Sequence, residues 1–473
     1  MRIFLFSLSL FISSFIFSQG NVQPWTLQQC VEWAIQHNIQ VKQNMLNEKT
    51  SEEVLLQSKA QALPNLSGSF SNGYNNGRKV DPYTNQFVSG SWTLSQNFSL
   101  NSSLALFNGL SNYNAIKQNQ YTLLASQYDL QKMQNDISLN VASAYLQILL
   151  AEELLSVAHN QSDITKLQVD RTQKLVDVGN LPKGNLFDIQ AQLASEEVNV
   201  VNAENSLALA SLNLVQMLNL DTLQNFSIAK PEISLPADVI LNISSDQIYS
   251  TALVHQPEIK SAEFKLRSSE KSISIARSGM YPHLSVSAAY GTGYSDASKQ
   301  IKSISPKGYD TTGITTGGQY VLAPNFAYNY QTIPFSTQYN NNASKSIGFY
   351  VTVPLFNNLQ THTSVERAKI SKDIAQLSLQ LQKDNLRKTI QQSYNDAVSS
   401  LKKYQASKKA VDAMSESFKY MEQRYNVGTA TSTEYNDSKN KLIKSKSDLL
   451  QSKYDCIFKM KVLDFYQGKP ITL

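Results

Sequence analysis

The sequence predicts an α+β membrane protein of two homologous halves, each combining two strands with long helices. Three observations carry this: a duplication in constant register, period-two segments of membrane-strand length, and two long polar runs free of Pro and Gly. "AIQHNIQVK" at 34–42 aligns with "ALVHQPEIK" at 252–260. His37 pairs with His255 and Pro64 with Pro282, each 218 residues apart. Farther on, Phe107 pairs with Phe356, Gly179 with Gly428 and Asp188 with Asp437, each 249 apart. The change of 31 places an insertion between 294 and 345, rich in Gly, Ser, Thr, Asn and Tyr, which reads as a loop.

Residues 1–20, "MRIFLFSLSLFISSFIFSQG", have one basic residue followed by an uncharged apolar run, the pattern of a secretory signal peptide. Later in the chain, 137–151 comes closest to a membrane helix, but Asn140 and Gln147 interrupt it. An exported chain of this kind would span a membrane with strands. Without Arg2 there are 41 basic and 37 acidic residues, an excess too small and dispersed to argue for nucleic acid. The 23 Tyr and 19 Phe stand against only 17% charged residues, a composition common in outer-membrane proteins.

Each half then runs through the same elements. Helices at 27–63 and 246–281 end at Pro64 and Pro282. Strand hairpins follow at 65–107 and 283–356. Leu66, Phe70 and Tyr74 are in phase, as are Trp92, Leu94, Phe98 and Leu100. So are Leu284, Val286, Ala288 and Tyr290, and Ile347, Phe349, Val351, Val353 and Leu355. Helical segments at 110–219 and 359–466 come next. Each opens with a run free of Pro and Gly, from Leu110 to Val178 and from Leu359 to Val427, enough for a helix of about 100 Å. Ile370, Ile374, Leu377 and Leu381 step by four, three and four, as do Ile390, Tyr394, Ala397 and Leu401, a narrow coiled-coil seam. A Val-Gly turn then reverses the chain into a return helix. Residues 220–245 link the halves and 467–473 form a tail.

Four strands cannot close a barrel, and an open sheet edge cannot face lipid. Copies must therefore combine: two would give eight strands, three would give twelve with room for a pore.

The duplicated halves, the hairpins set between helices, and the Val-Gly turns with a carboxylate nine residues on together resemble the TolC-like outer-membrane efflux proteins. The resemblance covers nearly the whole chain. It implies a homotrimer whose twelve-stranded β-barrel crosses the outer-membrane lipid and continues as a long α-helical coiled-coil barrel in the periplasm. It also implies a periplasmic adaptor protein and an inner-membrane efflux pump as partners. The adaptor would meet the helix tips, with Gly179 and Gly428 as candidate contacts. Glu434 and Asp437 would match the acidic positions of the closed pore, with Asp188 their counterpart in the first half. Rings of three carboxylates there would favour cations and bind divalent metal. The plainer reading is that Thr431 and Glu434 form a capping box and that the carboxylates stabilise a first helical turn. "LPKG" at 181–184 departs from the usual turn by adding Pro182 and Gly184.

Enzyme chemistry finds no footing. The five histidines are scattered, "GTGY" at 291–294 reads as a turn, and "GNLPKG" lacks the Lys-Ser/Thr of a phosphate loop. No cofactor or resident metal is expected, and no nucleic-acid partner. The alternatives to an efflux duct are a trimeric stalk or adhesin and a passive pore without pump partners. Cys30 and Cys456 read as unpaired structural thiols, although an exported chain could oxidise them.

Overall fold

The computed structural model describes residues 24–221, 226–231 and 243–472. The expected signal segment 1–20 and much of the 220–245 linker lie outside the described residues. In the first half the order is α1 (Leu27–His37), α2 (Ile39–Ala60), β1 (Asn65–Asn75), β2 (Lys79–Val80), β3 (Phe87–Val88), β4 (Thr93–Asn108), α3 (Ser111–Asp177) and α4 (Lys183–Met217). The second half repeats it with α5 (Ser245–His255), α6 (Pro257–Ser278), β5 (His283–Ser295), β6 (Lys299–Ile314), β7 (Tyr320–Thr332), α7 (Phe335–Asn341), β8 (Ser344–Thr352), α8 (Gln360–Asn426) and α9 (Ser432–Tyr466). Both long helices have 67 residues, so the halves agree in length as well as in order. The described residues divide into two compact units, one of residues 50–124 and 264–377, the other of the described residues among 24–49, 125–263 and 378–472.

The first unit holds every described strand. Its main sheet has the order β1-β4-β5-β8, all antiparallel, so the halves join at β4–β5. The register sorts most of the large apolar side chains to one face. One face pairs Phe70 with Phe98, Leu100 with Tyr290, Leu104 with Val286 and Val286 with Phe349. The other pairs Ser69 with Ser99, Asn101 with Ala289 and Ser287 with Gly348. An apolar face backed by one of Ser, Asn, Gly and Ala is the alternation of a membrane strand with a wet side. The expected phases are present, with one shift at each end: Trp92 precedes β4, while Val353 and Leu355 follow β8.

The 31-residue insertion, expected to be a loop, is largely a second ribbon, β6 paired with β7, closed by the short helix α7. Alternation alone could not find β6, because bulges at Lys302, Lys307 and Thr312 break its period. Each bulge puts the strand back in phase. Ile301, Ile304, Tyr309 and Ile314 thereby join Tyr330, Tyr328, Pro324 and Tyr320 on one face. The opposite face pairs Ser303 with Asn329, Ser305 with Ala327 and Gly308 with Asn325.

The two loops leave the main sheet on opposite sides. Phe335 and Tyr339 of α7 set their rings 6.1 and 5.8 Å from Phe98, so α7 lies on the apolar face. Gln338 is buried and receives the Ser295 amide at 3.0 Å. In the β2–β3 loop, the Tyr83 hydroxyl occupies the space that a side chain at Gly293 would need, on the Ser/Asn face. Asp81 is fully buried there. It accepts from the Tyr83 and Thr84 amides at 3.0 and 2.9 Å and from the Ser295 hydroxyl. Those bonds outweigh burial and hold its carboxyl below the ordinary carboxylate range.

Each long helix starts from two successive left-handed residues, Gly109–Leu110 and Asn358–Leu359. At Gly109 a Cβ would meet the Ser278 carbonyl oxygen at 2.7 Å, so that position is closed to other residues.

The helical unit has its core where 137–151 falls. Val141, Tyr145, Ile148 and Leu149 are buried with Leu27, Cys30 and Ala34 of α1, Leu214 of α4 and Ile457 of α9. The apolar run that came closest to a membrane helix is therefore core. Tyr145 donates to the Trp25 carbonyl at 3.1 Å, and Trp33 to the Leu218 carbonyl at the same distance. Cys30 and Cys456 are both free and buried, and burial pushes the Cys30 thiol up to about 12.

The expected seam is covered in one stretch and bare in another. Ile390 and Ala397 are fully buried, whereas Ile370 and Leu377 remain 59% and 69% exposed.

Candidate functional site at the helix turns

Both Val-Gly turns are Schellman closures. Gly179 and Gly428 have φ of +79° and +77°. Asn180 donates to the Leu175 carbonyl at 2.8 Å and Thr429 to the Arg424 carbonyl at 2.9 Å, while each glycine amide reaches the residue three back. A Cβ at either glycine would meet nothing within 4 Å, so the requirement is one of backbone torsion and not of space.

The return helices start differently. α4 begins after Pro182, which gives no side-chain cap. α9 begins with a full capping box: Thr431 donates its amide to Glu434 at 2.8 Å, and the Glu434 amide returns to the Thr431 hydroxyl at 3.2 Å. The Thr431 backbone bond, followed by its side-chain bond, lowers the Glu434 pKa. Asp437 is exposed and pairs with Lys441 at 2.7 Å. Asp188 is exposed and lines a groove of about 750 Å³ between the two turns, with Gly428, Thr431, Arg171 and Tyr425 also at its walls. The structure thus brings Asp188 and Gly428 to one groove. Gly179, Glu434 and Asp437 are not among its lining residues.

Polar and aromatic contacts tie the walls of this groove together. Arg171 donates to Asn426 at 2.9 Å, linking α3 to α8. Tyr435, buried beneath it, sets its ring 4.6 Å from Tyr425 and accepts from Gln168. Burial raises its phenol to about 12, so it is a neutral wall residue.

Sequence reasoning missed a buried ionic cluster on α3, α4 and α9. Lys439 and Glu196 are 3% and 4% exposed and 3.4 Å apart. Lys439 donates to the Thr165 hydroxyl at 2.6 Å. Glu196 accepts from Gln161 at 3.2 Å, from Gln192 at 2.9 Å and from Thr165. The available signal was stripe position. Lys439 falls between buried Tyr435 and Leu442 at helical spacing, and Glu196 lies seven residues beyond buried Ile189.

An antiparallel sheet with an apolar and a polar face, in a chain that also has two long helical hairpins, holds the elements of an outer-membrane protein. The chain belongs to the outer membrane efflux protein family, whose profile matches residues 31–220 and 248–458, one segment in each half. It is 23% identical to outer membrane protein TolC of Escherichia coli K12 over 444 residues, covering 92% of this chain and 80% of that protein. Against outer membrane protein TolC of Vibrio cholerae it is 23% identical over 336 residues, 71% of this chain and 68% of that one. Among solved structures, the Vibrio cholerae outer membrane protein VceC superposes with a TM-score of 0.70 at 17% identity, covering 94% of this chain and 96% of that one. The Campylobacter jejuni CmeC outer membrane channel gives 0.69 at 17% identity, covering 93% and 85%. The chain is therefore an outer-membrane protein of the TolC-like efflux class, a class of channels and not of enzymes.

Proposed function

We propose that three copies of this chain close one duct: a twelve-stranded barrel in the outer membrane, continued by a helical barrel that receives cargo from a periplasmic adaptor and an inner-membrane pump. The observation that carries this is the sorted sheet. Its apolar face suits lipid and its Ser/Asn/Gly face suits a water-filled lumen, yet among the described residues neither β1 nor β8 has a second strand partner. Closure needs β8 of one copy against β1 of the next. The exposed stretch of seam on α8 asks for a neighbour as well.

At the turns, the groove beside Gly428 is the proposed adaptor seat, with Gly179 and Gly428 holding its rims in shape. Asp188 and Asp437 are the proposed carboxylate rings of the constriction. Glu434 is committed to the Thr431 cap in this conformation and reaches the pore only when that cap opens. Mass measurement in mild detergent, with single-channel recording in planar bilayers, tests the duct. The expected result is three chains and stable aqueous conductance. A folded monomer with its full strand signal, or a trimer that never conducts, would overturn it.

A further inference from the structure

We propose that the β6–β7 ribbon is a membrane-surface anchor, its apolar face lying on the anionic outer leaflet of the outer membrane. This rests on the barrel reading above. The face is built, not incidental: three bulges spaced five residues apart hold every apolar side chain of β6 on the side where β7 places Tyr320, Leu322, Phe326, Tyr328 and Tyr330. It is also bare, with Tyr309 71% and Tyr320 70% exposed. A two-stranded ribbon is marginal alone in water, and an apolar patch of this extent needs a cover.

Two observations choose the cover. The first is where the ribbon is rooted. Its return leg runs directly into α7, which lies on the apolar face of the main sheet, the side turned to lipid in the barrel. The Ser/Asn side is taken by the other loop through Tyr83. Tyr and Phe beside α7 have the chemistry of the headgroup boundary. The second is charge. β6 carries Lys299, Lys302 and Lys307 against Asp310 alone, and Arg78 and Lys79 stand in or beside β2. Like charges on every copy oppose packing of ribbon on ribbon, whereas they complement the phosphates of an anionic leaflet. Basic residues beside an aromatic-aliphatic face are the composition of an interfacial element.

The test uses the full-length protein in lipid nanodiscs with acyl-brominated lipid as the quencher. The parent is Trp92→Phe, and its signal is subtracted. Tyr328→Trp reports the ribbon. Phe349→Trp, on the apolar face of β8, reports the barrel. With phosphatidylglycerol present, the ribbon reporter should lose about half its emission. That loss should vanish in purely phosphatidylcholine discs and in the combined Lys299→Glu, Lys302→Glu, Lys307→Glu variant, while the strand reporter is quenched throughout. A quenched strand reporter with an unquenched ribbon reporter overturns the anchor alone and places the ribbon over the mouth or on another copy. An unquenched strand reporter overturns the barrel and the anchor with it. Ribbon quenching indifferent to lipid charge overturns the recognition of anionic lipid.

Discussion

Lys439→Met removes the cation paired with Glu196, which is 4% exposed. Breaking a buried pair from one side typically costs 3–5 kcal/mol, because the remaining charge is stranded. Here Gln161, Gln192 and Thr165 still donate to the carboxylate, which puts the expected loss at the lower end, about 3 kcal/mol. Glu196→Gln should cost less, about 1–2 kcal/mol, because a lysine already disfavoured by burial can shed its proton and keep the Thr165 bond. The double variant should recover part of the sum, with a coupling of about 1 kcal/mol or more. Burial holds the Lys439 ammonium below its ordinary 10.5. Between its folded value and 10.5 the unfolded chain binds more protons, so this site's contribution rises with pH across that window. The rise should be absent from Lys439→Met. Urea unfolding followed by helical circular dichroism over a pH series measures both effects. Single losses that simply add, with an unchanged pH slope, would refute the account of a coupled buried pair.

Gly428→Ala should cost about 1–2 kcal/mol, because alanine resists the left-handed torsion, and Gly428→Asn should cost less; adaptor binding should weaken in the same order. Glu434→Ala should open the Thr431 box and lower the melting temperature, while Glu434→Gln should keep the box, as Gln29 does for Thr26; as pH falls through the depressed Glu434 pKa, below the ordinary 4.5, the parent should lose the charged part of the same cap. Asp188→Asn with Asp437→Asn should reduce cation preference and block by divalent ions in single-channel recordings while melting stays nearly unchanged, and earlier melting with unaltered selectivity would return both residues to helix support. A tag inserted at Gly313, near the ribbon tip, should bind antibody on intact cells; labelling only after lysis would reverse the topology.

Much of this fold was legible because a duplication writes each element twice. The long helices fell within a residue or two of their positions, since Gly179 and Gly428 mark their ends unambiguously. The strand faces could be read from Phe70, Phe98 and Phe349, where period two is unbroken. What stayed hidden lacked a period or needed a third dimension. β6 was invisible because its bulges disguise its alternation. The Lys439–Glu196 pair joins residues 243 apart, and each alone reads as a solvated charge on a polar helix. The carboxylate roles at the turns depend on neighbours that a single chain does not supply.

The bulges on β6 have a consequence for how this insertion can change over generations. A strand has a reading frame of two. Losing Lys302 would close that bulge and leave Ser303 opposite Asn329, so every later residue of β6 would keep its side of β7, whereas losing Asn329 from the unbulged β7 would turn its neighbours toward the wrong side. Away from the bulges, single-residue gains and losses in the ribbon are therefore frameshifts of a face. Length should drift here by paired changes or by the gain or loss of a bulge residue, whereas the tip between Ile314 and Tyr320 is free to vary residue by residue.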